Sequence, residues 1–396
     1  MTSTLVSTRS KLGVTLMALL LALAVLAPIP ALADDVSFGR FIVQETEGAG
    51  EAPERLVERL GGTVVSQLGV IGGFVAELPL SAAADLARHS EVFAVTPDAS
   101  LSLSGFVWAD GSLASEVYTP VAEPGSMYHI TQQITGAAEY WNDGFTGAGV
   151  DIAIIDSGVV PVDGLSYPGK VVNGPDLSFE SQEESLRYLD TFGHGTHLAG
   201  IMAGRDDAVS VVQTGDQTNF LGMAPGAGVV NLKVADYEGS TDVSQVIAAI
   251  DWVVQHRNDN GLNIRVLNLS FGTDGTQDYL LDPLAFAVEQ AWSAGIAVVV
   301  ASGNDGNRTA LRNPAYDPFV IAVGASEGNL TYGAADDTVP EFTNCGNRKR
   351  SIDLLAPGKS IVSLRNPGSS ADVENPSAVV EDRFFLGSGT SQAAAV

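Results

Sequence analysis

Apolar residues in the second half of the chain form short, near-continuous runs. The runs are rich in Val and Ile, which is typical of strands in a parallel sheet covered on both faces. The stretches between them contain apolar residues at helical spacing. The five predicted strands are Val150–Ile155, Val229–Val234, Ile264–Leu269, Ile296–Ala301 and Phe319–Val323.

Two of the stretches between these runs predict helices with recognisable first turns. In Asp242–His256 the apolar residues lie on one helix face, and Asp242 with Gln245 forms a capping-box pattern. Asp282-Pro283 begins a second helix that extends to about Ser293, because Pro is favoured at the first helical position. The alternation predicts a doubly wound α/β domain with a mainly parallel sheet, over residues 131–396.

A smaller α+β unit is predicted before this domain, over residues 34–103. Its pattern has the order β-α-β-β-α-β, that of a ferredoxin-like sandwich. Ser81 is the expected N-cap of its second helix. The predicted elements are strand Arg40–Gln44, helix Glu51–Leu60, strands Thr63–Gln67 and Gly73–Leu78, helix Ala82–His89 and strand Val92–Thr96. Residues 104–130 show little periodicity, so we predict a linker there.

The N-terminal 33 residues have the pattern of a secretory signal peptide. Arg9 and Lys11 precede the apolar stretch Leu12–Pro28, and Ala31-Leu32-Ala33 is a small-residue cleavage pattern. The alternative, a retained single-span anchor, is less favoured because the stretch is short and a polar segment follows. We therefore expect an extracellular protein without a stable membrane anchor.

The net charge limits the classes of binding partner, and the cysteine count limits the disulfides that the chain can form. The 396 residues include 47 Asp and Glu against 20 Lys and Arg, a formal net charge of −27, which disfavours nucleic acid and anionic membranes as partners. Cys345 is the only cysteine, so no internal disulfide can form, and we expect an incidental buried thiol.

Three short segments carry chemistry in the order Asp, His, Ser. Asp156 ends the first strand of the α/β domain, where ligands gather in open parallel sheets. His194 stands at the start of a helix of small residues, and an imidazole is the natural proton carrier near neutral pH. Ser391 follows a Gly-rich turn at another helix start, where free backbone N–H groups favour an oxyanion. Alone, two of them have structural alternatives, because Asp156 matches a strand-end residue that only accepts backbone N–H bonds and Ser391 matches an ordinary helix cap.

Two further residues bear on the same candidate site. His197 lies three residues after His194, but Thr196 stands where a zinc helix would place Glu, so we expect no metal site and a structural role for His197. Asn304 follows an apolar strand in a Gly-rich segment and is a candidate oxyanion donor, or otherwise a turn residue.

Together these motifs resemble the subtilisin-like serine peptidases, or subtilases. The resemblance rests on IIDSG at Ile154–Gly158, GHGTHLAG from Gly193, ASGNDG from Ala301 and GTSQA at Gly389–Ala393. It implies that Asp156, His194 and Ser391 form a catalytic triad and that Asn304 assists the oxyanion hole. It also implies that substrate lies along Gly239 and Ser240 and that the specificity pocket is walled by Ser270, Phe271, Gly272, Ala301, Ser302 and Gly303.

The family also implies polypeptide substrates and an inhibitory propeptide, which residues 34–103 resemble. We expect a monomer that requires no cofactor. A structural calcium ion is compatible with the family, but its ligands cannot be assigned, because Val159–Asp163 lacks the usual His-Pro-Asp sequence.

Two other classes of protein compete with the interpretation as a serine peptidase. A non-catalytic binding protein on the same scaffold is disfavoured because all four site residues are present. An α/β-hydrolase esterase requires Gly-x-Ser-x-Gly and the order Ser, Asp, His, which Ser391 does not satisfy.

A helix that begins near Thr390 has under two turns before Val396, so we expect the sequence to be a C-terminally truncated fragment.

Overall fold

The structure is a computed structural model, which describes residues 37–103, 107–108, 117–209, 212–275, 277–306, 308–329 and 331–396. The signal segment predicted at residues 1–33 lies outside the described residues. Within the described part of the chain, no helix is long and apolar enough to cross a membrane.

The N-terminal unit has the predicted order of elements. Its four strands form one sheet in the order β2-β3-β1-β4, and apolar residues of both helices pack on Phe41, Val43 and Phe74. The elements are β1 (Phe38–Glu45), α1 (Ala52–Arg59), β2 (Thr63–Leu68), β3 (Gly73–Pro79), α2 (Ala83–Leu86) and β4 (Val92–Pro97).

The prediction for α2 was wrong in its start and its length. Ser81 lies in a 3₁₀ turn, Leu80–Ala82, and no side chain caps the α-helix that follows. The helix ends at Leu86, because the N–H groups of Arg88 and His89 bond three residues back and tighten the last turn.

The segment predicted as a linker is partly in regular structure. Strand β5 (Ser100–Ser102) ends just before this segment, β6 (Val107–Trp108) lies within it, and Tyr118 is buried. Short helices α3 (Met127–His129) and α4 (Ala137–Asn142) lead into the larger domain. The sequence does not indicate this regular structure, because the segment is held by backbone pairing with distant strands and its side chains show no periodicity.

The larger domain is built on a seven-stranded parallel sheet. Its strands are β7 (Asp151–Asp156), β8 (Val171–Asp176), β9 (Gly228–Lys233), β11 (Ile264–Leu269), β12 (Ala297–Ala301), β13 (Ile321–Ser326) and β14 (Leu354–Pro357), in the spatial order β14-β13-β12-β11-β7-β9-β8. Strand β10 (Ser240–Asp242) pairs with β5 instead. Five of the seven strands were predicted; the two missed strands, β8 and β14, are the edges of the sheet.

Helices cover both faces of this sheet, as the doubly wound prediction requires. On one face, α6 (Val243–His256) and α7 (Pro283–Ser293) share a core with Ile42, Leu68 and Val75 of the N-terminal unit. On the other face, α5 (His194–Ala203) packs with a second sheet. The predicted caps are present: Gln245 Oε1 accepts from Asp242 N (2.8 Å), and Asp282 Oδ1 accepts from Leu284 N (2.9 Å).

The second sheet carries the end of the chain toward the centre of the domain. It contains β15 (Ile361–Leu364), β16 (Val379–Val380) and β17 (Phe384–Ser388), and β6 pairs with β17. The short helix α8 (Ser370–Glu374) lies between β15 and β16, and α9 (Thr390–Ala395) follows β17. Helix α9 is buried and packs against α5, β12 and β13.

Candidate active site

Asp156 and His194 form a buried pair where β7 ends and α5 begins. The His194 Nδ1 atom lies 2.9 Å from Oδ1 and 3.0 Å from Oδ2 of Asp156. Their side chains are 1% and 0% exposed. A carboxylate in this position fixes the imidazole in the tautomer with hydrogen on Nδ1 and leaves Nε2 to act as a base.

Asp190 ties the Asp156 turn to the first turn of the His194 helix. Its Oδ1 accepts from Ser157 Oγ (2.7 Å) and Gly193 N (2.6 Å), and its Oδ2 accepts from Thr196 N (2.8 Å). Burial raises the pKa of this carboxyl, and these hydrogen bonds oppose that rise. Asp190 therefore caps the helix from outside it and joins it to the turn that holds Asp156.

Lys233 holds the loops on either side of this pair. The side chain is fully buried at the end of β9, and its Nζ donates to Ser157 O (3.0 Å), Leu189 O (2.7 Å) and Thr191 Oγ1 (3.1 Å). Glu180 balances its charge at 2.8 Å. Sequence reasoning missed both Asp190 and Lys233; the only local signal was an acidic residue four positions before a helix-starting His.

Ser391 lies in the first turn of α9, beside Asn304. The serine is 3% exposed. The Asn304 Oδ1 atom accepts from Thr390 N (2.8 Å), which fixes the amide group and leaves its Nδ2 free to donate elsewhere. Gly303 N donates to Thr390 Oγ1 (3.2 Å), so the Asn304 loop and α9 are joined at two points.

A small cavity next to Ser391 brings most of the predicted pocket residues together. Its volume is about 30 Å³, and its lining includes Asn304, Ser391 and five predicted wall residues: Ser270, Phe271, Gly272, Ala301 and Gly303. Ser302 does not line it. The Ser302 side chain is buried, while its backbone bonds to Val323 O and Arg312 N. Four lining residues were not predicted: Ser102, Asp305, Arg312 and Thr390.

Gly239 and Ser240 lie beside the protein's own N-terminal segment. Ser240 is paired with Ser102 in the β5–β10 ladder, and Leu103 N donates to Gly239 O (2.8 Å). Gly239 has φ +74°, and a Cβ there would lie 3.2 Å from Phe192 and 3.3 Å from Leu103. This edge is therefore shaped to accept an extended chain, and residues 100–103 occupy it.

Metal ligands are not clustered in the described part of the chain, where no group of three or more His, Cys, Asp and Glu could hold an ion. His197 Nε2 lies 3.1 Å from Phe385 O, and burial, with the neighbouring His194, lowers the pKa of His197 to about 3. Asp163, in the loop considered for calcium, pairs with Arg383 at 3.2 Å. Cys345 is half-buried, and burial raises the pKa of its thiol.

A profile of the subtilase family, peptidase family S8, matches residues 147–396, so the chain belongs to the subtilase family. The family resemblance predicted from the motifs is thereby confirmed.

Individual relatives agree with this assignment. Serine protease AprX of Bacillus subtilis is 37% identical over 255 residues, which cover 63% of this chain and 55% of AprX. Subtilisin-like protease 1 of Arthroderma gypseum is 30% identical over 294 residues, covering 74% of this chain and 52% of the relative. The chain thus spans about half the length of these relatives.

A solved structure supports the fold. The crystal structure of fervidolysin from Fervidobacterium pennivorans, described as a keratinolytic enzyme related to subtilisin, superposes with a TM-score of 0.66 at 20% identity. The superposition covers 92% of this chain and 54% of fervidolysin. The predicted fold class is confirmed.

Proposed function

We propose that this protein is a secreted serine endopeptidase, made as a pro-enzyme, that cleaves polypeptides through an acyl-enzyme. The observation that carries the proposal is the buried Asp156–His194 pair, with the helix that bears Ser391 packed against the His194 helix. Family membership supports the same chemistry. This geometry and the matching motifs support the roles proposed for the individual residues.

In the proposed reaction, Ser391 Oγ attacks the scissile carbonyl carbon while His194 Nε2 removes its proton. The imidazolium, stabilised by Asp156, then gives that proton to the departing amine, and the acyl-enzyme forms. Water attacks the ester in the second half, again with His194 as base, and releases the acid product. The tetrahedral oxyanion in both halves accepts from Asn304 Nδ2 and Ser391 N.

The experiment that tests this function is active-site labelling with a fluorophosphonate, combined with hydrolysis of a peptide library by the processed enzyme. We expect a single label on Ser391 and cleavage within the peptides. A folded, processed protein that takes up no label and cleaves nothing would instead indicate a binding protein on the subtilase scaffold.

Asn304→Ala tests the proposed oxyanion donor. We expect kcat to fall on the order of 10²–10³-fold with KM little changed, the scale that loss of such a donor has in subtilisin itself, because the donor bonds only to the charge that develops in the transition state. Steady-state kinetics on one peptide measures this. Asn304→Asp keeps an acceptor for Thr390 N but removes the donor, so its kcat should fall at least as far. Wild-type kcat in either variant would contradict the assignment.

We further propose that residues 34–103 act as an inhibitory propeptide. Residues 100–103 cover the β10 edge, and just beyond the proposed propeptide Trp108 of β6 lies beside the proposed catalytic imidazole, with 6.3 Å between its ring centroid and that of His194. The unit is also anchored on α6: Asp98 accepts from Ser244 N (2.9 Å) and Ser244 Oγ (2.7 Å), and Asp251 accepts from Gly69 N (3.0 Å).

Asp98→Ala should weaken this inhibition. The change removes two hydrogen bonds to a carboxylate, each contributing about 1.5–3 kcal/mol, so we expect the cleaved propeptide to dissociate at least about 10-fold faster. Recovery of peptidase activity after dilution of the processed complex gives that rate. Asp85→Ala is the matched control, because this carboxylate is exposed on α2 and pairs only locally with Arg88. Equal rates in the two variants would count against the anchoring role.

A further inference from the structure

The cavity beside Ser391 contains a charged side chain that its predicted walls do not explain. Arg312 lines the cavity, and its stem lies between the two walls. A Cβ on Gly272 would come within 2.7 Å of Arg312 Cβ, and one on Gly303 within 2.6 Å of Arg312 Cγ. Both walls therefore contact the Arg312 stem through glycine, and the stem narrows the cavity between them.

The guanidinium of Arg312 is held by two carboxylates. Its Nε donates to Asp305 Oδ2 (2.6 Å), its Nη2 pairs with the other oxygen of Asp305, and its Nη1 pairs with Asp274. Asn344 Nδ2 also donates to Asp305 Oδ2, at 2.9 Å. The backbone is fixed as well, because Arg312 N donates to Ser302 O (3.1 Å). Hydrogen bonds and ion pairs therefore hold Arg312 both at its backbone and at its guanidinium.

Three physical consequences follow for a substrate side chain that enters this cavity. The stem of Arg312 lies between Gly272 and Gly303 and stays there when the propeptide residue Ser102, which also lines the cavity, is removed, so the remaining space favours a short side chain. A large apolar group would strip water from an ion pair without replacing its hydrogen bonds. Because Asp305 neutralises Arg312 inside the cavity, a substrate carboxylate would meet the Asp305 carboxylate and an ammonium group would meet the guanidinium.

We propose that Arg312, held by Asp305 and Asp274, restricts cleavage to peptide bonds that follow a short, uncharged residue such as Ala or Ser. This inference rests on the proposed function of Ser391. It assigns the P1 residue, whose carbonyl is attacked, to the cavity, and it makes Arg312 the specificity-determining residue of the pocket. Arg312 itself takes no part in the chemical steps.

The test is a set of peptides that differ only at P1: Ala, Ser, Leu, Phe, Glu and Lys. For the wild-type enzyme we expect kcat/KM to be at least about 10-fold higher for Ala than for Phe. In Arg312→Ala the value for Phe and Leu should rise about 10–100-fold, while that for Ala stays within about threefold. Arg308→Ala is the control, since Arg308 is exposed on the same loop and does not line the cavity.

A second variant keeps the test independent of the fold of the pocket. The Asp274 side chain is 86% exposed and pairs with Arg312 from outside the cavity, so Asp274→Asn should leave stability unchanged and raise cleavage after Glu about 10-fold, because the guanidinium then keeps only one neutralising carboxylate. An unchanged P1 profile in both variants, with fluorophosphonate labelling intact, would overturn the specificity inference alone. Loss of labelling and of all cleavage in the wild type would overturn the peptidase proposal and this inference with it.

Discussion

Replacing Ser391 with alanine is expected to abolish peptidase activity, with a loss in kcat on the order of 10⁶-fold, the scale of triad deletions in subtilisin itself. The reason is chemical. Alanine supplies no oxygen to form the acyl-enzyme, and the Asp156–His194 pair then has no nucleophile to activate. Fluorophosphonate labelling should vanish in parallel, and the propeptide should stay attached, because its release depends on the same site.

The measurement is kcat on a peptide with Ala at P1, together with the molecular mass of the purified protein. Ser293→Ala is the matched control, an exposed serine at the end of α7 that should leave processing, labelling and rate unchanged. Thermal unfolding should be unaltered in both variants. Substantial turnover by the Ser391→Ala protein would show that another residue is the nucleophile, and full processing would show that a different peptidase cuts the chain.

The sequence was sufficient for the central strands and the capped helices because their signals are local. Strands such as β11 are covered on both faces, so nearly every side chain is apolar, and α6 and α7 begin at caps with known chemistry. The edge strands β8 and β14 were missed because one flank of each lies outside the sheet. Val172, Leu354 and Leu355 are all exposed, which blurs the apolar pattern. The β5 and β6 pairings join segments more than a hundred residues apart and have no local signature.

The candidate site shows the same division. Asp156, His194, Asn304 and Ser391 were proposed from short motifs, each with its own small-residue surroundings. Lys233, Asp190 and Arg312 act through contacts between separate loops. The three hydrogen-bond acceptors of Lys233 and its ion-pair partner Glu180, for example, come from three different segments of chain. Nothing in the residues around Arg312 indicates that Gly272 and Gly303 meet its stem; only the fold brings them together.

Asp156→Asn is expected to lower kcat about 10⁴-fold, the scale of this exchange in another serine peptidase, although the side chains are isosteric. In the wild type, Asp156 Oδ1 accepts from Ser157 N at 2.8 Å, and both of its oxygens lie within 3.0 Å of His194 Nδ1. The asparagine carbonyl would keep the bond to Ser157 N, which turns the amide NH₂ toward Nδ1. The imidazole must then accept at Nδ1 and carry its hydrogen on Nε2, so it cannot remove the Ser391 proton.

The same argument sets the controls for this variant. Asp163→Asn changes a half-exposed carboxylate in the following loop, paired with Arg383, and should keep wild-type kcat. Because the triad acts as a unit, the double variant with Ser391→Ala should be no slower than Ser391→Ala alone. Steady-state kinetics at a pH where the wild type is fully active measures kcat for Asp156→Asn, Asp163→Asn, Ser391→Ala and the double variant. A rate within about tenfold of wild type in Asp156→Asn would mean that His194 does not depend on this carboxylate for its tautomer or for the stability of its imidazolium, since the exchange keeps the shape of the side chain and removes its charge and one acceptor.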